Sequence, residues 1–227
     1  MRELLSLAID TSTSRPTVAL LKGKQCLHDW LGPDALRHHE TLLQGVDACL
    51  KGAGHKLADL DFLSCGVGPG MFTGLRIGVT TAKFLADPLN IPCVAVSSLM
   101  ALAYQSKELE KKTVWAVSDA KSKRVYALRL EPGQVPPDFS PLPDEEAAEA
   151  PEAAAAKMKA GDFVLGEAAT IYESQWPAGI LRPSDAEQNW LLASSVGVLG
   201  AVRYSLGLTC SAVELQPTYL KTGQPHL

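Results

Sequence analysis

The segment at residues 66–83, GVGPGMFTGLRIGVTTAK, constrains the fold of this chain more than any other. An apolar run at 62–67 ends in a Gly-Pro-Gly turn, and a pattern with a helical period begins directly after it. This order predicts a strand that enters a helix through a loop too tight for residues with ordinary side chains. Thr73 stands where an N-cap is expected, because its hydroxyl can accept a hydrogen bond from an amide of the first helical turn.

The glycine loop at 66–70 has two interpretations. Its backbone amides would lie at the positive end of a helix, so Gly68 and Gly70 are candidate phosphate ligands. The loop lacks the Gly-Lys-Ser/Thr ending of a Walker A motif. The alternative is a tight turn that lets the helix pack closely on its strand. The spacing favours the tight turn and leaves phosphate binding open.

The helix predicted at 73–86 carries small residues on one face. Gly74, Gly78 and Ala82 are spaced four apart, which places them on the same side of a helix. Such a flat strip allows the close approach either of the sheet beneath the helix or of a helix from another chain. The sequence favours neither of these two packings.

Apolar periodicity predicts the order β-β-β-α-β-α-β-α for the first hundred residues. Three antiparallel strands followed by alternating strands and helices are typical of a ribonuclease H-like lobe. Ser97 or Ser98 can cap the third helix, which should run to about Tyr104. The strands are expected at 4–9, 17–21, 25–30, 62–67 and 91–96, and the first two helices at 39–51 and 73–86.

The second half begins with a similar but weaker pattern. An apolar run at 113–118 ends at Asp119 and an alternating run at 125–130 follows, so the order strand, aspartate, turn, strand recurs as it does around Asp10. Actin-like ATPases and sugar kinases are built from two such lobes. The pattern therefore indicates a two-lobe α/β architecture.

The remaining segments set the predicted domain boundaries. Residues 1–104 are expected to form the first lobe and residues 105–202 a smaller second lobe, and the segment at 203–227 can return to the first. The proline-rich and then alanine-rich sequence at 131–160 predicts a loop followed by a surface helix. The strongly apolar stretch at 189–206 predicts a helix that is buried or packs back on the first lobe.

Asp10 and the hydroxyl residues after it form the first candidate site. At the end of a strand this carboxylate could bind Mg²⁺ or orient a water, and the hydroxyls of Thr11, Ser12 and Thr13 could contact phosphate. Asp119 would supply the corresponding carboxylate in the second lobe. The alternative is that each aspartate accepts hydrogen bonds from the amides of its own turn.

Charge and residue usage exclude several classes of function. The net charge of −4 argues against strong autonomous binding to nucleic acid. The five cysteines form no CxxC pair and the histidines form no HxxxH or HExxH pair, so no metal site is expected. No signal sequence is visible and no apolar run approaches the roughly 20 residues of a membrane span. These features favour a cytoplasmic location.

Six segments resemble the bacterial TsaB (YeaZ) family in the right order: LAIDTSTSRPTVAL, RHHETLL, GVGPGMFTGLRIGVTTAKFLA, VAVSSLMALA, SDAKSKRVYAL and PTYLK. The similarity spans most of the chain, and the pattern GPG-x-FTG-x-RIG is highly specific. The resemblance implies the two-lobe fold of the actin-like ATPase (ASKHA) superfamily, which is built from ribonuclease H-like lobes. The stretch at 131–160 is poorly matched.

The resemblance also implies a function. Members of this family are subunits of the machinery that places threonylcarbamoyl on the adenosine beside the anticodon of tRNAs that read codons beginning with A. They pair with the catalytic paralogue TsaD, the ATPase TsaE joins the pair, and the subunit tends to form homodimers when alone. ATP, ADP and Mg²⁺ are then expected only in the complex, and tRNA contact only through it.

The resemblance further implies that this chain is not an enzyme. The catalytic paralogue carries an HxxxH metal pair on the helix after its VAVSS-like strand, whereas the corresponding segment at 97–104 contains no histidine. Met71 and the segment at 84–87 depart from the smaller residues common in the family, which casts doubt on a nucleotide role for the loop. The alternative function is an independent ATPase or small-molecule kinase, which would need working carboxylates at Asp10 and Asp119.

The family's interface uses the helices of the first lobe, which here are expected at about 38–51 and 73–86. Under this reading the strip of small residues would lie between chains. The residues predicted to form the interface are Arg37, His38, His39, Leu42, Leu43, Val46, Gly74, Leu75, Gly78, Val79 and Ala82.

Overall fold

A computed structural model describes residues 2–34, 38–134 and 147–219, which form two β-sheets with helices on their faces. The first sheet has the strand order β3-β2-β1-β4-β5. Strands β1 to β3 are antiparallel neighbours, whereas β1, β4 and β5 are parallel, as in a ribonuclease H-like lobe. The strands are β1 (Leu5–Asp10), β2 (Thr17–Lys22), β3 (Gln25–Leu31), β4 (Phe62–Gly66) and β5 (Cys93–Val96).

Helices cover both faces of this sheet, because its strands are apolar on both sides. Successive strand residues point to opposite faces, so Leu7 and Ile9 of β1 pack beneath the first two helices while Ala8 packs on the opposite side. The helices on the first face are α1 (His38–Gly52) and α2 (Phe72–Ala86). The opposite face is covered by α6 (Ala193–Ser205), and α3 (Ser98–Tyr104) lies between α6 and the second sheet.

The second sheet has the strand order β8-β7-β6-β9 and shares one core with α3. Its outer face carries Trp115, Val117 and Val164, which pack with two short helices. The elements are β6 (Val114–Lys121), β7 (Arg124–Leu130), β8 (Ala147–Glu149), α4 (Pro151–Ala155), β9 (Phe163–Leu165) and α5 (Glu167–Ile171). Two α/β lobes therefore meet across α3.

The apolar helix predicted at 189–206 packs on the first lobe, ahead of the predicted domain boundary at residue 202. Two glycines let α6 lie directly on the first sheet: a Cβ on Gly197 would stand 2.2 Å from Leu21 Cδ1, and one on Gly200 would stand 1.9 Å from Ser64 Oγ. The boundary predicted at residue 202 is therefore wrong, since α6 belongs to the first lobe from Ala193 onward.

The alanine-rich surface helix is also shorter than predicted. The helix α4 ends at Ala155, well before Ala160, and it follows a short strand. Its Ala154 is fully buried against the second sheet while Glu152 and Ala153 are exposed, so α4 is a surface helix with one side in the core. The part of the predicted loop at 135–146 lies outside the described residues. Within the described ranges, no helix has the length and apolar character needed to cross a membrane.

Candidate functional site

Asp10 ends β1 and is buried beneath the two loops that were candidates for binding phosphate. Its carboxylate is only 1% exposed. Oδ1 accepts hydrogen bonds from the amide (2.7 Å) and the hydroxyl (2.6 Å) of Ser12, and Oδ2 accepts one from Ser98 Oγ (2.6 Å). Ser98 Oγ in turn accepts the Gly68 N–H at 3.2 Å. Asp10 therefore joins β1, the glycine loop and α3 in one buried network.

The glycine loop and the loop after β1 contact each other directly. A Cβ on Gly66 would stand 1.7 Å from Asp10 Oδ2, and one on Gly70 would stand 2.4 Å from Ser12 O. The Met71 amide also donates a hydrogen bond to Ser12 O at 2.7 Å. The glycines are thus required for close packing of the chain on itself, which is the tight-turn interpretation.

The first turn of α2 differs from the prediction. The helix begins at Phe72 with Met71 as its N-cap, and no side chain caps it. Thr73 lies one residue inside the helix and is exposed, so its assignment as the N-cap is wrong. The hydrogen bond from the Met71 amide to Ser12 O holds Met71 in an extended conformation. The loop therefore ends at Met71, two residues before Thr73.

The strip of small residues on α2 packs within the chain. A Cβ on Gly74 would stand 2.1 Å from Thr11 O, and one on Gly78 would stand 2.1 Å from Thr11 Oγ1. Thr11 Oγ1 also donates a hydrogen bond to Gly74 O at 2.7 Å. Ala82, farther along the strip, is fully buried. The predicted contact of this strip with another chain is therefore wrong.

Most other residues of the predicted interface are also buried in their own lobe. Leu43, at 52%, is the exposed one among those whose side chains the structure describes. Arg37 and the side chains of His38 and His39 lie outside the described residues. Leu42, Val46 and Val79 are buried in the core between α1, α2 and the first sheet, and Leu75 is buried as well.

Asp119, the counterpart of Asp10 in the second lobe, is engaged in the same way. Its Oδ1 accepts hydrogen bonds from the Lys121 amide (3.0 Å) and the Tyr172 hydroxyl (3.1 Å), and its Oδ2 pairs with Lys121 Nζ at 2.7 Å. Each aspartate thus accepts the amide two residues farther on, as Asp10 does from Ser12. The weak internal repeat in the sequence corresponds to this shared turn.

A cleft of about 340 Å³ separates the two lobes. Asp119 lines this cleft, whereas Asp10, Thr11, Ser12 and Thr13 are not among its lining residues. The first lobe contributes Ser14, Asp34 and Met71, and the second lobe with its connecting segment contributes Asp119, Lys121, Glu167, Thr170, Ile171, Ala186, Asn189 and Trp190.

Glu167 is a residue of the cleft that the sequence did not reveal. Its Oε1 accepts hydrogen bonds from Ser118 Oγ (2.6 Å) and the Asp119 amide (3.1 Å). Its Oε2 is buried and has no hydrogen-bond partner among the described residues. Desolvation by burial raises the pKa of the Glu167 carboxyl, and repulsion from Asp119 raises it further. The sequence signal that could have indicated Glu167 is its position as an acidic residue just after the short strand β9.

The raised pKa of Glu167 predicts how stability depends on pH. The folded state favours the neutral Glu167 carboxyl. The contribution of this group to the free energy of unfolding is therefore complete below its ordinary pKa of 4.5, and it is lost as pH rises through the raised pKa of the folded state. Glu167→Gln keeps an oxygen acceptor and cannot ionise. We expect the free energy of unfolding of this variant, measured in urea, to rise relative to the wild type as pH increases above 4.5. Parallel pH profiles would contradict this, and exposed Glu152→Gln is the control.

The chain is 33% identical to the tRNA threonylcarbamoyladenosine biosynthesis protein TsaB of Haemophilus influenzae over 230 residues, which cover 97% of this chain and 95% of that protein. The chain belongs to the TsaB family. TsaB of Escherichia coli is 38% identical over 122 residues, 53% of this chain and 52% of that protein. The solved structure of YeaZ from Pseudomonas aeruginosa matches with a TM-score of 0.77 at 32% identity, covering 96% of this chain and 100% of that one.

The TsaB comparisons confirm the family resemblance and the two-lobe actin-like fold. A family model for TsaD, tRNA N6-adenosine threonylcarbamoyltransferase, matches residues 34–135. That range contains both α1 and α2, so this TsaB-family chain is similar to TsaD over the helices on the outer side of the first lobe. Within 2–34, 38–134 and 147–219, no three His, Cys, Asp or Glu residues are grouped as a metal site would require.

Proposed function

We propose that this chain is a non-catalytic subunit in the biosynthesis of threonylcarbamoyladenosine in tRNA, where it pairs with and supports a TsaD-type catalytic paralogue. The names of its TsaB relatives support the pathway. A TsaE-type ATPase joins the pair, and ATP or ADP with Mg²⁺ enters with the assembled complex. Contact with tRNA is made through that complex, and the chain forms homodimers when alone.

The hydrogen bonding of the two aspartates supports a non-catalytic role. An ATPase or kinase of this fold needs carboxylates free to hold Mg²⁺ or orient the attacking group. Here Asp10 is buried and accepts bonds from Ser12 and Ser98, while Asp119 is paired with Lys121. These contacts favour the accessory subunit over the alternative of an independent ATPase or small-molecule kinase.

The exposed side of α1 and α2 supports pairing with another protein. Leu43 of α1 and Phe72 of α2 are each 52% exposed, and Phe84 of α2 is 72% exposed. Since the other side of both helices is buried on the first sheet, these residues face away from the lobe. Large apolar side chains grouped on a surface are typical of protein interfaces. We assign the pairing surface to this outer side in place of the buried strip.

The similarity to TsaD supports the choice of partner. Because the matched range at 34–135 includes both helices, a TsaD-type protein presents a similar helix pair. Two identical surfaces pair about a twofold axis in a homodimer, and two similar ones can pair about an approximate twofold axis in a heterodimer. One surface thereby accounts for both assemblies.

Light scattering on the purified chain, alone and with the TsaD-type protein of the same organism, tests the proposal. We expect the wild type to shift from homodimer to one-to-one heterodimer. Phe84→Lys should prevent both assemblies, because it places an ammonium group at the centre of an apolar contact. The control is Ile171→Lys, an exposed apolar residue of α5 in the other lobe.

Two results would contradict the proposal. Normal heterodimer formation by Phe84→Lys would show that the partner binds elsewhere. Mg²⁺-ATP hydrolysis by the pure wild-type chain, without the other subunits, would favour the independent ATPase. Hydrolysis that appears only after the TsaD-type and TsaE-type proteins are added agrees with the accessory role.

A further inference from the structure

Residues 209–219, here called the C-terminal strap, run along the side of α2. At one end, Cys210 forms a pair of backbone hydrogen bonds with Cys93 of β5, at 2.8 and 2.9 Å. Farther along, Lys83 Nζ of α2 donates a hydrogen bond to Val213 O at 3.0 Å. The strap is thus joined to the sheet edge and to the last turn of α2.

The other end of the strap is held at the start of α2. The Thr218 amide donates a hydrogen bond to Val67 O of the glycine loop at 2.8 Å. The Tyr219 ring lies 5.1 Å from the Phe72 ring between centroids, and Arg76 Nε donates to the Tyr219 hydroxyl at 3.1 Å. Two segments that carry the family resemblance, FTG-x-R and the first three residues of PTYLK, therefore meet here although they are far apart in the sequence.

The strap also lies close to a glycine of the loop. A Cβ on Gly68 would stand 3.2 Å from Thr218 O, so the backbone of the strap approaches the loop closely. Val67, whose carbonyl binds the strap, precedes Gly68, whose amide binds Ser98 of the Asp10 network. A continuous set of hydrogen bonds thus leads from Asp10 to the strap.

The strap presents apolar surface beside that of α2. Ala212 and Leu215 are buried and anchor it on the first lobe, whereas Val213 is 74% exposed and Tyr219 is 48% exposed. The strap therefore adds exposed apolar side chains beside both ends of α2, with Tyr219 next to Phe72 and the Val213 backbone bonded to Lys83.

Three charged groups next to this surface make contacts within the chain. The Arg76 guanidinium lies 3.9 Å from the centroid of the Phe72 ring, and Lys83 is bound to the strap carbonyl. Glu214 Oε2 accepts hydrogen bonds from the amide (2.9 Å) and the hydroxyl (2.8 Å) of Ser211. These contacts hold the three charged side chains on their own chain without neutralising them, so we expect them at the polar rim of a partner contact and the apolar side chains at its centre.

We propose that the C-terminal strap forms one half of the surface that binds the TsaD-type partner, with the outer side of α2 as the other half. This inference rests on the proposed function. The partner is the TsaD-type protein because its similarity to this chain covers both helices, so its own helix pair can lie across α2 and reach the strap.

Calorimetric titration of the TsaD-type protein into strap variants tests the proposal. Val213→Lys and Tyr219→Ala should each raise the Kd for that protein roughly tenfold or more, as loss of a central apolar contact does. The urea unfolding midpoint of Val213→Lys should equal that of the wild type, because the Val213 side chain is mostly exposed. The matched control is Leu206→Lys, an exposed apolar residue beside the end of α6 and outside the strap.

The outcomes separate this proposal from the one on which it rests. If both strap variants bind like the wild type while Phe84→Lys does not bind, the strap proposal is overturned and the pairing function stands. If the wild type fails to bind even with ATP, Mg²⁺ and the TsaE-type protein present, the pairing function is overturned as well. Should Val213→Lys lower the unfolding midpoint, Val213→Ser provides the same test without an added charge, and wild-type binding by it would overturn the proposal.

Discussion

Replacing Gly78 with leucine is expected to lower the free energy of unfolding by about 3 kcal/mol. A Cβ at this position would stand 2.1 Å from Thr11 Oγ1, and leucine adds three more carbons in the same direction. Thr11 cannot move aside easily, because it is fully buried and its hydroxyl is bonded to Gly74 O. Urea unfolding, followed by circular dichroism, should show a lower midpoint.

The control for this prediction is Thr80→Leu, an exposed position on the same helix. It should unfold within about 0.5 kcal/mol of the wild type, as surface substitutions usually do. If Gly78→Leu keeps the wild-type unfolding midpoint but no longer forms homodimers, the strip of small residues lies between chains, as the sequence allowed. We expect the opposite, since the strip faces Thr11 of its own chain.

Asp10→Ala is expected to destabilise the chain by about 3 kcal/mol, equally with and without Mg²⁺-ATP. The substitution leaves the amide and hydroxyl of Ser12 and the hydroxyl of Ser98 without their buried acceptor. Each unsatisfied buried donor costs about 1–3 kcal/mol, and relaxation of the loops recovers part of the sum. Thermal and urea unfolding of the purified chain measure this loss.

Asp34→Ala is the matched control, because this aspartate is exposed and bonds only to Ser14 among the hydrogen bonds of the described residues. Its effect should stay near 0.5 kcal/mol. If Asp10→Ala is as stable as the wild type but loses an Mg²⁺-ATP hydrolysis that the wild-type chain performs alone, Asp10 is a catalytic residue. Destabilisation without any change in hydrolysis would assign it to the structure of the turn.

The sequence predicted the order of the elements well because each depends on local chemistry. The apolar run of β1 and the helical period of α2 place these elements within two residues of their observed bounds. Ser97 caps α3 as predicted, since its Oγ accepts the Met100 amide at 3.1 Å. Asp10 and Asp119 likewise accept hydrogen bonds from amides two residues farther on, which is one of the two roles that the sequence allows for them.

The sequence patterns did not predict contacts between segments that are far apart in the chain. The spacing of Gly74 and Gly78 showed that they share a face but not that the face meets Thr11. Similarly, neither the exposed Phe72 nor Tyr219 carries a local signal that the two rings meet. In both cases the partner lies far along the chain, and periodicity reports only which residues share a side of one element.

By itself, the sequence determined the two-lobe α/β class, the family and the tight glycine turn, because apolar period and glycine placement act over a few neighbouring residues. Only the tertiary structure decided what each surface contacts. It placed the small-residue strip against Thr11, left Phe84 exposed and laid the C-terminal strap on the glycine loop. The physical reason is that a helix face or a loop becomes buried or exposed through segments brought to it by the whole fold.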